Sequence, residues 1–405
     1  MLIQHLSRRL RELDTQSLRR QRRIAQSPCA PHRQTGAAHA PARPMLSFCS
    51  NDYLGLANHP ALVDALAEGA RRFGAGSGAS HLVSGHSLAH EQMEEALAGW
   101  LSPHIPGART LSFATGYLAN LALLTALGDG QASIFADKLN HASLIDGALL
   151  AKASLQRYPH GRLDLLAGQL AQCRTPIKLI VTDAVFSMDG DLADLPELLA
   201  LAEAHDAWLV VDDAHGFGVL GEHGGGSLAH FGLRSERLVY MGTLGKAAGL
   251  AGAFVAAHPV VIDWLVQAAR PYIYTTAAMP AIAHAVCTSL QLIAGPEGDA
   301  RRARLRRWTA ILRAELGALT RETPRLGWRL AASDTPIQPL VVGSNNMALA
   351  LAASLERQGL WVPAIRPPTV PANTARLRIT LSAAHAEEDV RALTSGLALA
   401  AGRPS

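Results

Sequence analysis

The sequence lacks the features that mark several classes of protein. Its 405 residues include only four cysteines, Cys29, Cys49, Cys173 and Cys287, without the CxxC spacing of a zinc or redox site and without the density of a disulfide framework. We therefore expect reduced thiols in a cytoplasmic protein, and no metal site. No apolar run approaches the roughly 20 residues that a membrane-spanning helix requires, and the N-terminus lacks the apolar core of a signal peptide.

Charge is also sparse. Charged residues make up 17% of the chain, the formal net charge is +4, and the positive excess lies largely in arginine clusters at 19–23 and 301–307. A regulator that used these clusters would bind DNA with a steep salt dependence. Because no aromatic-interleaved basic stripe accompanies them, we expect no nucleic-acid partner. The apolar fraction of 49% instead favours a globular enzyme.

Short apolar runs alternate with Ala- and Leu-rich segments through the middle of the chain. The runs lie at 110–114, 133–136, 178–182, 208–211 and 238–241. Continuous apolar strands separated by helices predict an α/β fold with a mostly parallel sheet covered on both faces.

We expect three segments along the chain. Residues 46–293 form a large domain, and 294–405 form a small C-terminal α/β domain with strands at 337–342 and 376–381. Residues 1–45 form an N-terminal helix and arm. The helix carries leucines at helical spacing and should pack on the body or on a partner subunit. The Pro- and Ala-rich stretch from Pro28 to Pro44 is predicted to be a linker or arm.

Asp212 and Lys246 follow neighbouring predicted strands. A carboxylate such as Asp212 can hold a pyridinium nitrogen in its protonated form. A metal-binding acid pair with Asp213, or a helix N-cap at Asp213, explains the same acid equally well. A lysine after a buried strand is costly as an ammonium but useful as an imine of pyridoxal phosphate (PLP). Together the two residues favour a PLP site, where Thr243 can donate to the phosphate.

Other polar residues follow further predicted strands. Gly116, with Tyr117 next to it, opens a helix whose N-terminus can face a phosphate, although a glycine at such a turn is commonly structural. His141 is placed to stack on a cofactor ring or to cap the next helix. Ser187 is placed to hydrogen-bond the cofactor or to lie in a turn built by Asp189 and Gly190.

Three arginines mark the predicted small domain. Arg366, Arg376 and Arg378 each present a guanidinium that binds a carboxylate through two hydrogen bonds. One of them is a candidate for a substrate carboxylate, and a surface ion pair is the alternative for each.

These segments resemble the α-oxoamine synthases, PLP-dependent enzymes with the fold type I (PLP-dependent transferase) architecture. The resemblance covers nearly the whole chain and rests on segments at 50–56, 84–87, 183–191, 211–216, 242–246 and 364–371. The last segment, Ala-Ile-Arg-Pro-Pro-Thr-Val-Pro, separates the members that act in biotin synthesis from those that make 2-amino-3-oxobutyrate, 5-aminolevulinate or the sphingoid base.

The resemblance implies a reaction and an assembly. The reaction is the decarboxylative condensation of L-alanine with a pimeloyl thioester, carried by CoA or by acyl-carrier protein. The assembly is a homodimer with its active site at the subunit interface. His141 would stack above the PLP ring, Asp212 would hold the ring nitrogen, and Lys246 would take the Cα proton of alanine.

The resemblance also assigns residues by motif. The catalytic residues would be Lys246, His141, Asp212 and His215. The cofactor would be bound by Gly116, Tyr117, His141, Ser187, Asp212, His215, Thr243 and Lys246, with Thr276 reaching the partner's phosphate. The substrates would meet Arg19, Asn51, His141, Thr369 and Arg378, with Arg378 taking the alanine carboxylate.

The chain departs from the family pattern at three places. Ala79-Ser80-His81 interrupts the usual glycine-rich segment, Asn140 stands where serine commonly precedes the stacking histidine, and Asn373 replaces a common glycine. The last change puts the loop before Arg378 in doubt.

Two alternatives to this reaction remain. A sibling synthase would use glycine with acetyl-CoA or succinyl-CoA. A non-catalytic, regulatory or binding protein of the PLP fold would have lost the lysine or the acid, and both are present.

Overall fold

The computed structural model describes residues 1–20, 22–37 and 41–402. Its strands, in chain order, are β1 (Arg23–Ala25), β2 (His32–Ala37), β3 (Arg43–Ser47), β4 (Arg109–Phe113), β5 (Ala132–Asp137), β6 (Ser154–Tyr158), β7 (Ile177–Asp183), β8 (Trp208–Asp212), β9 (Leu238–Thr243), β10 (Ala253–Ala257), β11 (Arg329–Leu330), β12 (Ile337–Gly343), β13 (Leu360–Trp361), β14 (Ala364–Ile365) and β15 (Ala375–Thr380).

The helices, again in chain order, are α1 (Leu2–Thr15), α2 (Pro60–Phe73), α3 (Leu88–Leu101), α4 (Gly116–Leu127), α5 (Ala142–Leu150), α6 (Leu163–Gln172), α7 (Leu195–Ala204), α8 (Gly226–Phe231), α9 (Pro259–Ala268), α10 (Arg270–Ile273), α11 (Pro280–Ala294), α12 (Pro296–Glu322), α13 (Asn345–Arg357) and α14 (Glu387–Ala400). Short helical turns lie at His81–Gly85, Glu222–Gly224 and Pro324–Leu326. Within the described ranges, no helix combines the length and apolarity needed to cross a membrane.

The chain forms two compact units. The large unit comprises Leu54–Ser187 and Leu192–Arg302, and the small unit comprises Met1–Tyr53, Met188–Asp191 and Ala303–Ser405. This division differs from the three predicted segments. The N-terminal residues group with the C-terminal ones because β3 pairs with β13 in parallel.

The large unit contains a seven-stranded sheet in the order β4-β10-β9-β8-β7-β5-β6. The five strands from β9 to β6 run parallel, and β10 is antiparallel to both of its neighbours. The central strands are buried along their length, as expected for strands covered on both faces. The predicted α/β fold with a mostly parallel sheet is confirmed.

Two strands of this sheet were not predicted, for identifiable reasons. The sequence of β6, Ser-Leu-Gln-Arg-Tyr, is largely polar because β6 lies at the sheet edge. The sequence of β10, Ala-Phe-Val-Ala-Ala, is rich in alanine, which favours helices when read locally.

The small unit contains two four-stranded sheets, ordered β1-β2-β3-β13 and β11-β12-β15-β14. Reading the arm at 28–44 as a linker was wrong in part, because β2 lies within it and pairs with β3. Helix α1 forms as predicted, but it has no buried residue in the single chain, and Leu2 and Leu6 are 68% and 47% exposed. Packing of α1 on the body is therefore not observed.

Candidate cofactor site

Asp212 is the buried carboxylate at the carboxyl end of β8. Its Oδ1 accepts a hydrogen bond from the backbone N–H of Ala214 at 3.0 Å, and its Oδ2 accepts one from Asn120 Nδ2 at 2.7 Å. An isolated buried anion is costly, so these donors stabilise the carboxylate and fix its orientation.

A chain of hydrogen bonds leads from Asp212 to His141. Asn120 Nδ2 also donates to Ser143 Oγ at 2.9 Å, and Ser143 Oγ lies 2.7 Å from His141 Nδ1. The Ser143 hydroxyl therefore donates to Nδ1, which also accepts the Ser143 backbone N–H at 3.3 Å as the cap of α5. This arrangement leaves the ring proton on Nε2 and fixes the imidazole.

Asp183, at the end of β7, supports the backbone of His141. Its Oδ2 accepts the His141 backbone N–H at 2.6 Å, and Asn140 donates to the Val181 carbonyl oxygen at 2.8 Å. Asn140 therefore replaces the usual serine and still joins this loop to β7. Burial, together with the neighbouring Asp212, raises the pKa of Asp183 well above its usual range.

Lys246 lies in the short loop between β9 and β10. The loop is closed by hydrogen bonds from Leu250 N to the Leu244 oxygen and from Gly249 N to the Lys246 oxygen, each 2.9 Å long. Burial lowers the pKa of His141, and the ammonium of Lys246 lowers it further against the opposing effect of Asp212. The imidazole of His141 therefore stays neutral beside two ionisable groups.

Gly116 and Thr243 meet at the N-terminus of α4. A Cβ at Gly116 would lie 2.7 Å from Thr243 Cγ2, so only glycine allows the helix start to come this close. Thr115 caps α4 by accepting the Leu118 N–H at 3.2 Å, and Thr243 Oγ1 donates to the Ala214 carbonyl oxygen at 3.2 Å. The unpaired N–H groups of a helix start suit an anion.

The remaining predicted cofactor residues lie in the same unit. Tyr117 donates its hydroxyl to Asp146 and is 42% exposed. His215 is buried in the turn after Asp212, and Ser187 is half-buried after β7. Thr276 is exposed and forms a β-bridge with Ser80.

The carboxylate of Asp213 accepts hydrogen bonds from other parts of the large unit and does not act as the metal-binding partner of Asp212. Its Oδ2 accepts the Ser227 N–H at 2.6 Å and the Tyr240 hydroxyl at 2.8 Å, so it stabilises the start of α8 instead. Burial, more than the neighbouring Asp212, raises the pKa of Asp213 to about 7.

The predicted substrate residues belong to the small unit, where Arg378 and Asn51 lie together. Arg378 Nη1 donates to Asn51 Oδ1 at 3.2 Å, and the Tyr53 hydroxyl donates to the same oxygen at 3.2 Å. Arg378 is buried on β15. Asn373 takes a left-handed backbone with a φ of 62°, which asparagine tolerates better than most residues. The replacement of glycine therefore keeps a conformation that glycine would also adopt.

Arg376 and Arg366 have different surroundings from Arg378. Arg376 bonds Asp189 at 2.5 Å, the Met188 oxygen at 3.1 Å and the Thr374 oxygen at 3.1 Å, which occupies its guanidinium. Arg366 donates to the Ser17 carbonyl oxygen.

Arg19 and Arg366 line one cavity of about 670 Å³ in the small unit. Arg19 pairs with Asp14 at 2.7 Å. Thr369 is exposed, and its backbone N–H donates to the Arg366 oxygen at 3.2 Å. The three arginine candidates thus have different neighbours, and Arg366 shares a cavity with Arg19.

The sequence reasoning missed Asn120, Ser143 and Asp183. Asn120 is a polar residue on the otherwise apolar helix α4, and it is fully buried. An isolated polar residue in such a helix is a signal that could have identified it, since buried amides need partners.

The residues of the large unit fit PLP. Asp212 offers a fixed anion for a ring nitrogen, Lys246 offers an amine for the aldehyde, and the start of α4 offers backbone N–H groups for a phosphate. The Thr243 hydroxyl lies beside this helix start and would exchange its bond to the Ala214 oxygen for one to the phosphate. Gly116 itself brings no side chain to this helix start, where a Cβ would lie 2.7 Å from Thr243 Cγ2.

Comparisons with known proteins agree with this site. Residues 43–397 match the family described as aminotransferase class I and II. An 8-amino-7-oxononanoate synthase of Leptothrix cholodnii is 71% identical over 404 residues, which cover 99% of each chain.

Solved structures show the same likeness. A serine palmitoyltransferase variant from S. paucimobilis, solved with a bound PLP–myriocin adduct, is 26% identical with a TM-score of 0.87 over 98% of each chain. An 8-amino-7-oxononanoate synthase from Francisella tularensis is 29% identical with a TM-score of 0.74, over 88% of this chain and 98% of that one.

The sheet and the residues at its carboxyl edge define a PLP enzyme of fold type I. The chain belongs to the aminotransferase class I and II family and, within it, to the α-oxoamine synthases.

We predict that Asp213→Asn flattens the pH dependence of stability. Because the pKa of Asp213 rises from 3.8 to about 7 on folding, the folded protein keeps a proton that the unfolded chain loses as the pH increases. The stability contributed by this proton is present at acidic pH and is lost as the pH rises toward 7. As the pH rises toward 7, the free energy of unfolding of the wild type should fall, relative to that of the variant, by up to about 1.4 kcal/mol per pH unit.

The unfolding temperatures of both proteins, measured from about pH 5 to about pH 8, check this. The difference between them should change up to about pH 7 and then level off. A difference that stays constant throughout would contradict the assignment of this carboxyl.

Proposed function

We propose that this chain condenses L-alanine with a pimeloyl thioester to give 8-amino-7-oxononanoate, CO2 and the free thiol carrier, a step of biotin synthesis. The acyl group is carried by CoA or by acyl-carrier protein. The observation that carries the choice of reaction is the 71% identity, over 99% of each chain, to a relative named for that product.

PLP, when bound, supplies an electron sink for charge that develops at the Cα of the amino acid. The chain's own part is to hold a negative charge opposite the ring nitrogen, and Asp212 does this. Asn120 and the Ala214 N–H keep its two oxygens in place. If either donor were missing, the carboxylate would be a poorly paired buried anion.

Lys246 is proposed both to anchor the cofactor and to move the Cα proton. The ammonium of Lys246 lowers the pKa of both Asp183 and His141, so the lysine interacts electrostatically with the residues around Asp212. Nζ would take the proton from Cα and return one to the product, acting first as a general base and then as a general acid.

His141 is proposed to stack on the ring and to meet the substrate. Its imidazole is neutral, because burial lowers its pKa, and it is held by Ser143 on one side. A neutral, fixed ring is suited to flat packing. Gly116, Tyr117, Ser187, His215 and Thr243 complete the proposed cofactor contacts.

In the small unit, Arg378 is proposed to bind the alanine carboxylate. Arg376 is a poorer candidate because Asp189 and two backbone oxygens already occupy its guanidinium. Arg19, Asn51 and Thr369 are proposed as further substrate contacts.

The enzyme is proposed to act as a homodimer with its active site at the subunit interface. Two features support this. Thr276, proposed to reach the partner's phosphate, is exposed in the single chain, and the apolar side of α1 has no buried residue there.

Product analysis tests the reaction. The PLP-loaded protein is mixed with L-alanine or glycine and with pimeloyl-CoA, pimeloyl-acyl-carrier protein, acetyl-CoA or succinyl-CoA, and the amino ketones are identified by mass spectrometry. Alanine with a pimeloyl thioester should give product, and Lys246→Ala should give none while remaining folded. A preference for glycine would overturn the biotin assignment, and turnover by Lys246→Ala would overturn the catalytic one.

We predict that Arg378→Lys raises the KM for L-alanine by about 10- to 100-fold, since a hydrogen bond between charged groups contributes about 1.5–3 kcal/mol. Lysine keeps the charge but loses the paired donors. The matched control is Arg376→Lys on the same strand, which should lower the unfolding temperature and leave this KM unchanged. Steady-state kinetics in which only Arg376→Lys raises the KM would contradict the assignment.

A further inference from the structure

Three histidines of the large unit converge away from the cofactor residues. They are His81, His86 and His90, and one ring nitrogen from each lies within 4.8 Å of the others. His81 opens the helical turn His81–Gly85, His86 follows that turn, and His90 lies in the first turn of α3. None of them has a role in the proposed reaction.

The backbone around Gly85 brings these side chains together. A Cβ at Gly85 would lie 2.1 Å from the Ala79 carbonyl oxygen, so only glycine allows the chain to fold back here. The Gly85 N–H donates to the Ser80 oxygen at 2.9 Å and closes the turn. As a result, His81 Nδ1 and His86 Nδ1 lie 2.9 Å apart.

Two of the three rings are fixed by hydrogen bonds at their Nε2 atoms. His86 Nε2 lies 3.0 Å from Glu91 Oε2, and His90 Nε2 lies 2.8 Å from the Ala278 carbonyl oxygen. Both acceptors place the ring proton on Nε2, which leaves Nδ1 with a lone pair. Metal-binding histidines are oriented in this way, by a carboxylate or carbonyl on the nitrogen that does not bind the ion.

The third ring is held by stacking. His81 packs on Tyr272 with ring centroids 4.7 Å apart and planes 12° from parallel. Burial, with the imidazoles of His90 and His86, lowers the pKa of His81 to about 3. Stacking on Tyr272 therefore fixes the plane of the His81 ring, whose Nδ1 lies 2.9 Å from His86 Nδ1.

The histidine cluster borders a cavity that is also lined by two glutamates. A cavity of about 310 Å³ is lined by His81, His86, Glu91 and Glu94 among other residues. Glu94 is held by Ser112, whose backbone N–H and hydroxyl donate to its Oε1 at 2.8 and 2.5 Å. The two carboxylates favour a cation beside the histidines.

We propose that His81, His86 and His90 bind one zinc-type divalent ion through their Nδ1 atoms. Imidazole suits zinc, copper and nickel rather than magnesium. A tetrahedral zinc with Zn–N bonds of about 2.0–2.1 Å holds its ligands about 3.4 Å apart. The Nδ1 atoms of His81 and His86, now 2.9 Å apart, must separate slightly, and the His90 nitrogen, within 4.8 Å of the other two ligand atoms, must move toward them. Water from the cavity takes the fourth position.

Binding changes the tautomer of His81 and replaces the hydrogen bonds that the three Nδ1 atoms now make. Because His86 Nδ1 has a lone pair, the one ring proton of His81 lies on its Nδ1 and is donated to His86 Nδ1. When Nδ1 of His81 binds the ion, this proton moves through water to Nε2 of the same ring, so no proton is released overall. His90 Nδ1 gives up two contacts with Ser87, whose backbone N–H lies at 3.1 Å and whose hydroxyl lies at 2.9 Å. No redox change is involved.

Calorimetric titration of the full-length, PLP-loaded protein with ZnCl2 in a non-chelating buffer tests the proposal, with MgCl2 as the comparison ion. We expect one zinc ion per chain and no magnesium binding. His86→Gln should weaken zinc binding by more than about 100-fold, and Glu91→Ala should weaken it by about 10- to 100-fold. His230→Gln is the matched control, since His230 is exposed in the last turn of α8 and is not one of the proposed ligands, and this variant should bind zinc as the wild type does.

Circular dichroism and cofactor absorbance establish whether each variant is folded and loaded. Equal zinc affinity in His86→Gln, His230→Gln and the wild type would overturn the proposal, as would an absence of zinc binding. If His86→Gln fails to fold, Glu91→Ala decides, because the Glu91 side chain is 58% exposed. Wild-type zinc affinity in that variant would overturn the proposal. None of these outcomes depends on the condensation reaction.

Discussion

The site depends on a negative charge buried at the carboxyl end of β8. Asp212 is 4% exposed, and an anion in such a place is costly unless donors are fixed around it. Asn120 and the Ala214 N–H are those donors. Asn120 also donates to the Ser143 hydroxyl, which in turn donates to His141 Nδ1. The residue that stabilises the buried anion therefore also positions the histidine proposed to lie over the cofactor. A PLP enzyme needs this carboxylate to keep the ring able to accept electrons.

The neighbouring charges are linked to that anion. Asp183 is buried beside Asp212, and its pKa is raised by burial and by the second carboxylate. The ammonium of Lys246 opposes this rise and lowers the pKa of His141. Two carboxyl groups, one lysine and one imidazole therefore influence one another's pKa at the carboxyl end of the parallel strands. Ligands of α/β proteins bind at this end of the sheet. Perturbed pKa values in such a group are typical of catalytic sites.

The sequence predicted the parts of the fold that depend on local pattern. The apolar runs became β4, β5, β7, β8 and β9, and the polar residues that follow them lie at the sheet edge. Asn120, Ser143 and Asp183 were not predicted, because their roles depend on partners brought close only by packing. The strand pairing of the arm was missed for the same reason, since β2 and β3 are held by each other and by β13. Pairing between distant segments leaves no periodic mark in a short stretch of sequence.

Locating the cofactor on the chain tests the account most directly. The sequence contains only four lysines, Lys138, Lys152, Lys178 and Lys246, so borohydride reduction of the PLP-loaded protein, followed by digestion and mass spectrometry, gives an unambiguous answer. The account predicts a single pyridoxyl group, on the peptide that contains Lys246. A folded protein, supplied with excess PLP, that carries no adduct there, or carries it on another lysine, would contradict it.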